Sequence, residues 1–441
     1  MNFQWLKWVC AVGGLAWLSS AGAATISVTG DLQQAIDQAN DYDVLELSGH
    51  FTGRFLIGKP LSLVGRQATL SGAGQGHVLT VEGQDVTLMN LIIEDWGGDL
   101  TEIHSGILVK ENSQNVQLIN NQLTGPGFGI YVLNSQKVQV KGNRVTGDLS
   151  LRSADRGNGI HLSGVTHSVV DGNSIKHTRD GVYIINSQHN QILGNHMREL
   201  RYGVHYMYSH NNEVIGNHSE HVRAGFALMS SRNLKVANNV AIHCTQYGLL
   251  LNFVTYSEFY QNKIDHIRVP ESNAAAGNHG KALFVYNSQY NTFKGNRFSN
   301  SDLGVHLTAG SEGNVISKNA FVQNQTQVKY VATRTQEWSE SGKGNYWSNY
   351  LGWDLNQDHI GDSPFEPNDG MDKVLWKYPE AKILMDSPAV LMLRWVQRSF
   401  PVFKSVGVTD SHPIFRASEL STHPSNTDLN YPHNEPVHGG S

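Results

Sequence analysis

His205, Met207 and Met229 hold the most pointed chemistry in this chain. His205 and Met207 are two residues apart, so on a β-strand they leave the same face. Met229 takes the position of Met207 one repeat later. An imidazole with two thioethers is a soft ligand set, suited to Cu(I) and poorly suited to Mg²⁺ or Ca²⁺. His161 sits at the position of His205 two repeats earlier, roughly 10 Å away at the usual inter-strand spacing, so it joins the set only if the scaffold bends. The same side chains also allow a blander reading. Met207 and Met229, with Tyr183, Phe284 and Tyr286, would make an adhesive apolar face for a partner, a role that flexible methionines serve well.

Two further constellations carry charge. Arg179, Arg201 and Arg223 recur two residues before a glycine in successive repeats. Stacked guanidiniums repel, so they call for the nearby Asp180, Glu199 and Glu220 as an ion ladder, or else for an anionic ligand or partner. Downstream, DLNQDHIGD spaces Asp354, Asn356, Asp358 and Asp362 like a small Ca²⁺ loop, although His359 stands where such loops often have glycine.

The elements that would hold these groups are set by a repeat. A corner ending in Asn recurs at Asn121, Asn143, Asn173, Asn195, Asn217, Asn239, Asn262, Asn296 and Asn319, mostly about 22 residues apart. A Gly-aliphatic strand keeps phase with it, as GIYV from Gly129, GIHL from Gly159, GVYI from Gly181, GVHY from Gly203 and GVHL from Gly304. Two markers in phase predict an all-β chain, a right-handed parallel β-helix whose short strands pair with the coils above and below. Asn suits the corners because it tolerates left-handed backbone and its amide can bond to its counterpart one coil away.

Strand alternation assigns the faces. Val204 and Tyr206, with Val182, Ile184, Phe226 and Leu228, form the interior, while His205, Met207 and their counterparts point outward. The outward pairs contain no Asp or Glu, which argues against a sugar hydrolase built on facing carboxylates. Asp148, Asp155 and Glu271 lie in two inserts, near residues 146 to 158 and 266 to 280, that could wall a groove over these strands. They keep a polysaccharide-binding or polysaccharide-modifying lyase or epimerase as the competing class.

The ends need caps, because a coil exposes apolar interior there. Asp31 is the expected N-cap of a helix whose Leu32, Ala35, Ile36 and Ala39 form one stripe, with Gln34 completing a capping box. Residues 24–330 are thus assigned to the β-helix with its N-terminal cap. Residues 331–400 are assigned to an aromatic C-terminal cap and an amphipathic helix that starts at Asp386 or Ser387 with Pro388 in its first turn, its apolar face either packed on the coil or offered to a partner. Residues 401–441 are expected to be an extended, largely disordered tail.

Composition bounds the setting. The net charge is −5, which gives no basic surface for a phosphate backbone, so nucleic acid is excluded as a partner. Residues 1–23 have Lys7, an apolar stretch and small residues up to Ala23, as a secretory signal peptide does. Its removal leaves Cys244 as the single cysteine, so an internal disulfide is impossible and stability must come from packing and hydrogen bonds.

The strings DRGNGIHL, RDGVYI, RYGVHYMYS, GKALFVYNS, LGVHLTAGSE, GNYWSNYLGWD and LRWVQRSFPVFKS closely resemble the NosD family of periplasmic nitrous oxide reductase maturation proteins. That resemblance implies a non-enzymatic periplasmic protein. It would work with the ATPase and permease of an ABC transporter and with a membrane-anchored copper chaperone, and assist assembly of the reductase's copper-sulfide centre by Cu(I) transfer or sulfur delivery. It favours the metal reading of His205, Met207 and Met229 and makes the apolar C-terminal helix a transporter contact. It supplies no ligand list of its own.

Overall fold

The computed structural model describes residues 23–270, 279–308, 310–331, 334–368, 376, 378, 387–399 and 407–417. The expected signal peptide therefore lies outside the described residues except for Ala23, as do Glu271, Asp386 and the last residues of the tail.

Each regular coil contributes one short strand to each of three parallel ladders, giving the parallel β-helix the repeat called for. The Gly-marked strands form a separate 12-stranded sheet running from Phe55–Ile57 to Thr326–Val331. The other two ladders, through strands such as Glu213–Ile215 and His218–Glu220, merge at the N-terminal end because the long strand Ser62–Ser71 pairs with both.

The interior is stacked aliphatic and aromatic layers. Val182, Val204, Phe226 and Leu249 are fully buried in one column, and Phe259 and Phe293 stack with centroids 4.7 Å apart. Tyr206 also lies wholly inside, and its hydroxyl has no hydrogen-bond partner.

The corners divide their work between two residues. The first of each pair takes the left-handed conformation, as at Gly194 (φ 56°) and Gly216 (φ 68°). The second builds a buried ladder in which each Asn Oδ1 accepts the backbone N–H of its counterpart in the preceding coil, at 3.0 Å for both Asn173 to Asn195 and Asn195 to Asn217. The side-chain amide of the earlier Asn donates to the same oxygen, so backbone groups that no strand can pair are satisfied. The glycines of the marked strands answer a different need: a Cβ on Gly203 would come within 2.1 Å of Ser219 Oγ and 2.6 Å of the Gly225 carbonyl oxygen.

The N-terminal helix, Leu32–Gln38, buries Leu32 and Ile36 over the first coil, and Asp31 accepts the Gln34 N–H at 3.0 Å. At the other end Trp347 stacks on Phe321 at 4.4 Å, with Trp338 beside it. The tail departs from expectation here. Val408–Thr409 pairs in parallel with Gln336–Glu337, and the buried Asp410 accepts the Trp347 indole N–H at 2.8 Å and the Asn345 N–H at 2.7 Å. The cap thus needs residues 407–417, because Asn345 ends the asparagine ladder and Asp410 is the acceptor that replaces a further coil.

Candidate metal centre

His205 lies on the strand Tyr202–Met207, between Asp180–Ile185 below and Ala224–Met229 above. In register, Tyr183, His205 and Ala227 form one column, and Ile185, Met207 and Met229 the next. The expected triad is therefore brought together: His205 and Met207 leave the same side of one strand and Met229 stands directly over Met207.

The surroundings differ from the open surface expected of outward residues. The His205 side chain is only 8% exposed, because the rings of Tyr183 and Tyr202 close on it at 4.6 Å and 5.0 Å. Its Nδ1 lies 2.9 Å from Asp180 Oδ2. Arg201 donates to both oxygens of the same carboxylate, with Nε 2.8 Å from Oδ1 and Nη2 2.5 Å from Oδ2. Burial pushes the Asp180 carboxyl upward, but the bonds from His205 and Arg201 outweigh it and hold the group below the usual carboxylate range. An ionised carboxylate only accepts, so Nδ1 donates to it and Nε2 is the ring nitrogen left over for another partner. That Nε2 is buried and has no hydrogen-bond partner. Carboxylate to Nδ1, free Nε2 beyond it, is how proteins orient a histidine that ligates metal.

The thioethers sit at the edge of an apolar patch. Met229 packs against Ala224, Ala227 and Leu250, together with Tyr202, Tyr247 and Phe284. Tyr183 donates to Met207 Sδ at 3.4 Å, and burial raises its phenol pKa, so it stays a donor at neutral pH. Phe284 and the exposed Tyr286 continue the two columns upward, two coils beyond Met229. Cys244 supplies no thiolate, since burial lifts its pKa to about 12.

The remaining expectations are met unevenly. His161 does not reach the same centre: the Tyr183 ring stands between it and His205, 4.6 Å from each. Its Nδ1 faces Asn158 Nδ2 at 3.1 Å, and desolvation lowers its pKa to about 3. The ion ladder is a single rung. Arg201 pairs with Asp180, whereas Arg223 donates to Gln246 and the buried Nε of Arg179 has no partner. Glu199 binds His177, and Glu220 faces His196 and His218 instead. Glu220 lies on the strand His218–Glu220 and Glu199 just after His196–Arg198, off the Gly-marked strands, so nearness in sequence misplaced them.

Asp354, Asn356, Asp358 and Asp362 occupy an exposed cap loop and accept turn N–H groups, as Asp362 does from Leu355 at 2.6 Å and Asp358 from Ile360 at 2.8 Å. Of the insert acids, Asp155 pairs with Arg152 and Asp148 caps Ser150. On the C-terminal helix, Pro388–Ser399, Leu391, Met392, Leu393 and Trp395 are all exposed.

A family model described as a periplasmic copper-binding protein, NosD, matches residues 141–352, the stretch that contains this centre. Over 373 residues the chain is 52% identical to the probable ABC transporter binding protein NosD of Stutzerimonas stutzeri, covering 84% of this chain and 86% of that one. The chain belongs to the NosD family. The protein of the same name from Pseudomonas aeruginosa is also 52% identical, over 86% of this chain and 89% of its own length. NosD relatives are thus named as binding proteins, and the family as periplasmic and copper-binding. Among solved structures, the A-module of the Azotobacter vinelandii mannuronan C-5 epimerase AlgE6 superposes with a TM-score of 0.52 at 13% identity, covering 73% of this chain and 94% of that one, a likeness of fold alone. Among the described residues no helix is long and apolar enough to cross a membrane.

Proposed function

We propose that the protein takes up Cu(I) in the periplasm at His205, Met207 and Met229 and passes it on for assembly of the copper-sulfide centre of nitrous oxide reductase. The observation that carries this reading is the His205 imidazole, fixed by Asp180 through Nδ1, with Nε2 buried and unpartnered beside two in-register thioethers. Copper is cargo here. One nitrogen and two neutral sulfurs hold Cu(I) without charge neutralisation, and the half-buried methionines let a competing ligand approach. Donation of copper by a membrane-anchored chaperone, and docking on an ABC transporter through Leu391, Met392, Leu393 and Trp395, complete the proposal. The names of the relatives support the transporter.

Cu(I) titration against a chromophoric chelator tests the centre. Replacing Met207 and Met229 together by Ile should weaken retention at least tenfold and impair reductase maturation; unaltered retention with normal maturation would sink the proposal.

A polysaccharide-modifying role has one observation in its favour, because Tyr183, His205, Asp180 and Arg201 are groups an acid–base enzyme employs. Asp180 and Arg201 are spent on each other, however, and Asp180 is wholly buried. Incubation with uronate chains should yield neither shortened nor epimerised products.

A further inference from the structure

Around the corner from His205 the same two coils carry a second cluster. His196 and His218 each follow a Gly-Asn corner, on the strands His196–Arg198 and His218–Glu220, and they pair directly in register. Met197 and Ser219 between them point into the core and are fully buried, so His196, His218 and Glu220 share the outer face. The imidazole centroids are 4.8 Å apart. Glu220 faces both rings, with one oxygen 3.3 Å from His196 Nε2 and the other 3.6 Å from His218 Nε2.

We infer that His196, His218 and Glu220 form a binding site for a divalent first-row ion, Cu(II) or Zn(II). One ligand atom from each residue lies within 4.8 Å of the others, so a single ion can touch all three after small rotations. This is the one such group of His, Cys, Asp and Glu among the described residues. Two imidazoles and a carboxylate leave a fourth position open to water or an incoming ligand. The set is harder than His205 with its methionines and selects the divalent ions that the thioether centre does not favour. Lys263 and Arg198 are the nearby cations; Arg198 lies in register with Glu220, and Lys263 acts on His218. They temper the affinity while Glu220 supplies the compensating charge. Because the residues stand on paired ladder strands, only their side chains need to rotate.

The test is isothermal titration of the mature protein with Zn²⁺, and Cu²⁺ titration followed by electron paramagnetic resonance for nitrogen coupling. The His196→Gln/His218→Gln double variant should lose one binding event or weaken it at least tenfold, with an unchanged circular dichroism melt. The Met207→Ile/Met229→Ile variant should keep that event, which separates this site from the Cu(I) centre. As a control, His221→Gln/His243→Gln alters the neighbouring corner stack, whose rings are 5.2 Å apart, and should leave binding intact. Unchanged affinity and stoichiometry in the His196/His218 variant would overturn the inference, as would loss of the event only in the corner variant.

Discussion

Asp180 and His205 are joined across adjacent coils, carboxylate Oδ2 to imidazole Nδ1 at 2.9 Å, and this bond leaves Nε2 as the buried nitrogen without a partner. Arg201 donates to both oxygens of the same carboxylate. Replacing Asp180→Asn removes the charge that sets the tautomer while nearly preserving shape. Cu(I) affinity should fall 10- to 100-fold, the usual cost of losing such a partner. Arg201 would lose its counter-ion, so chemical denaturation should show a loss on the order of 3 kcal/mol. Wild-type affinity in this variant would mean that the carboxylate serves Arg201 alone.

Tyr206→Phe should leave function untouched and hold or raise stability. The Tyr206 hydroxyl is buried without a partner, and deleting such a group removes a desolvation penalty of about 1 kcal/mol. Thermal unfolding checks this; a clear loss would show that the hydroxyl is satisfied within the core.

Asn217→Ala should be severely destabilising. The Asn217 oxygen accepts from the Asn195 N–H and side-chain amide, and its own amide reaches the Ile192 carbonyl and Asn239. Several buried groups lose partners at once, so the expected cost is about 3 kcal/mol or more in urea unfolding. A surface corner such as Asn211→Ala, measured in parallel, should cost far less.

Mild acid should weaken the fold, and His161 should account for part of the loss. Desolvation lowers its pKa from 6.5 to about 3 in the folded chain. Between those values the unfolded chain binds a proton that the folded one refuses, so stability falls as pH drops below 6.5, by roughly 2 kcal/mol at pH 5. His306, also lowered to about 3 by burial, acts in the same direction. Asp410 acts oppositely. Burial raises it to about 6, so its contribution is lost as pH climbs from the unfolded value toward 6. His161→Phe, which fits among Phe128, Tyr131 and Tyr183, should flatten the slope between pH 5 and 6.5; an identical slope would refute the assignment.

The repeat and the Met207–Met229 stacking could be seen in the sequence because a coil of nearly constant length turns sequence offset into spatial register. Burial could not be seen the same way. His205 obeys the alternation that sends it outward, yet Tyr202 and Tyr183 close over it, a result of side-chain size that alternation ignores. Sequence spacing marks Asp180 only as a counter-ion for arginine. Its position just before Gly181, where the next coil has Tyr202, was the available signal. His196 and His218 were signalled by histidine after Gly-Asn in consecutive coils, but on a ladder away from the Gly-marked strands. The packed segment 407–417 leaves no periodic signal, because its strand Val408–Thr409 is only two residues long.

X-ray absorption at the copper edge of the Cu(I)-loaded protein tests the copper centre most directly. One nitrogen and two sulfur scatterers should surround the ion, with the sulfur shell lost in the Met207→Ile/Met229→Ile variant and the nitrogen shell altered in His205→Ala. A shell of nitrogen and oxygen alone, or a sulfur shell that survives replacement of both methionines, would contradict a Cu(I) site at His205.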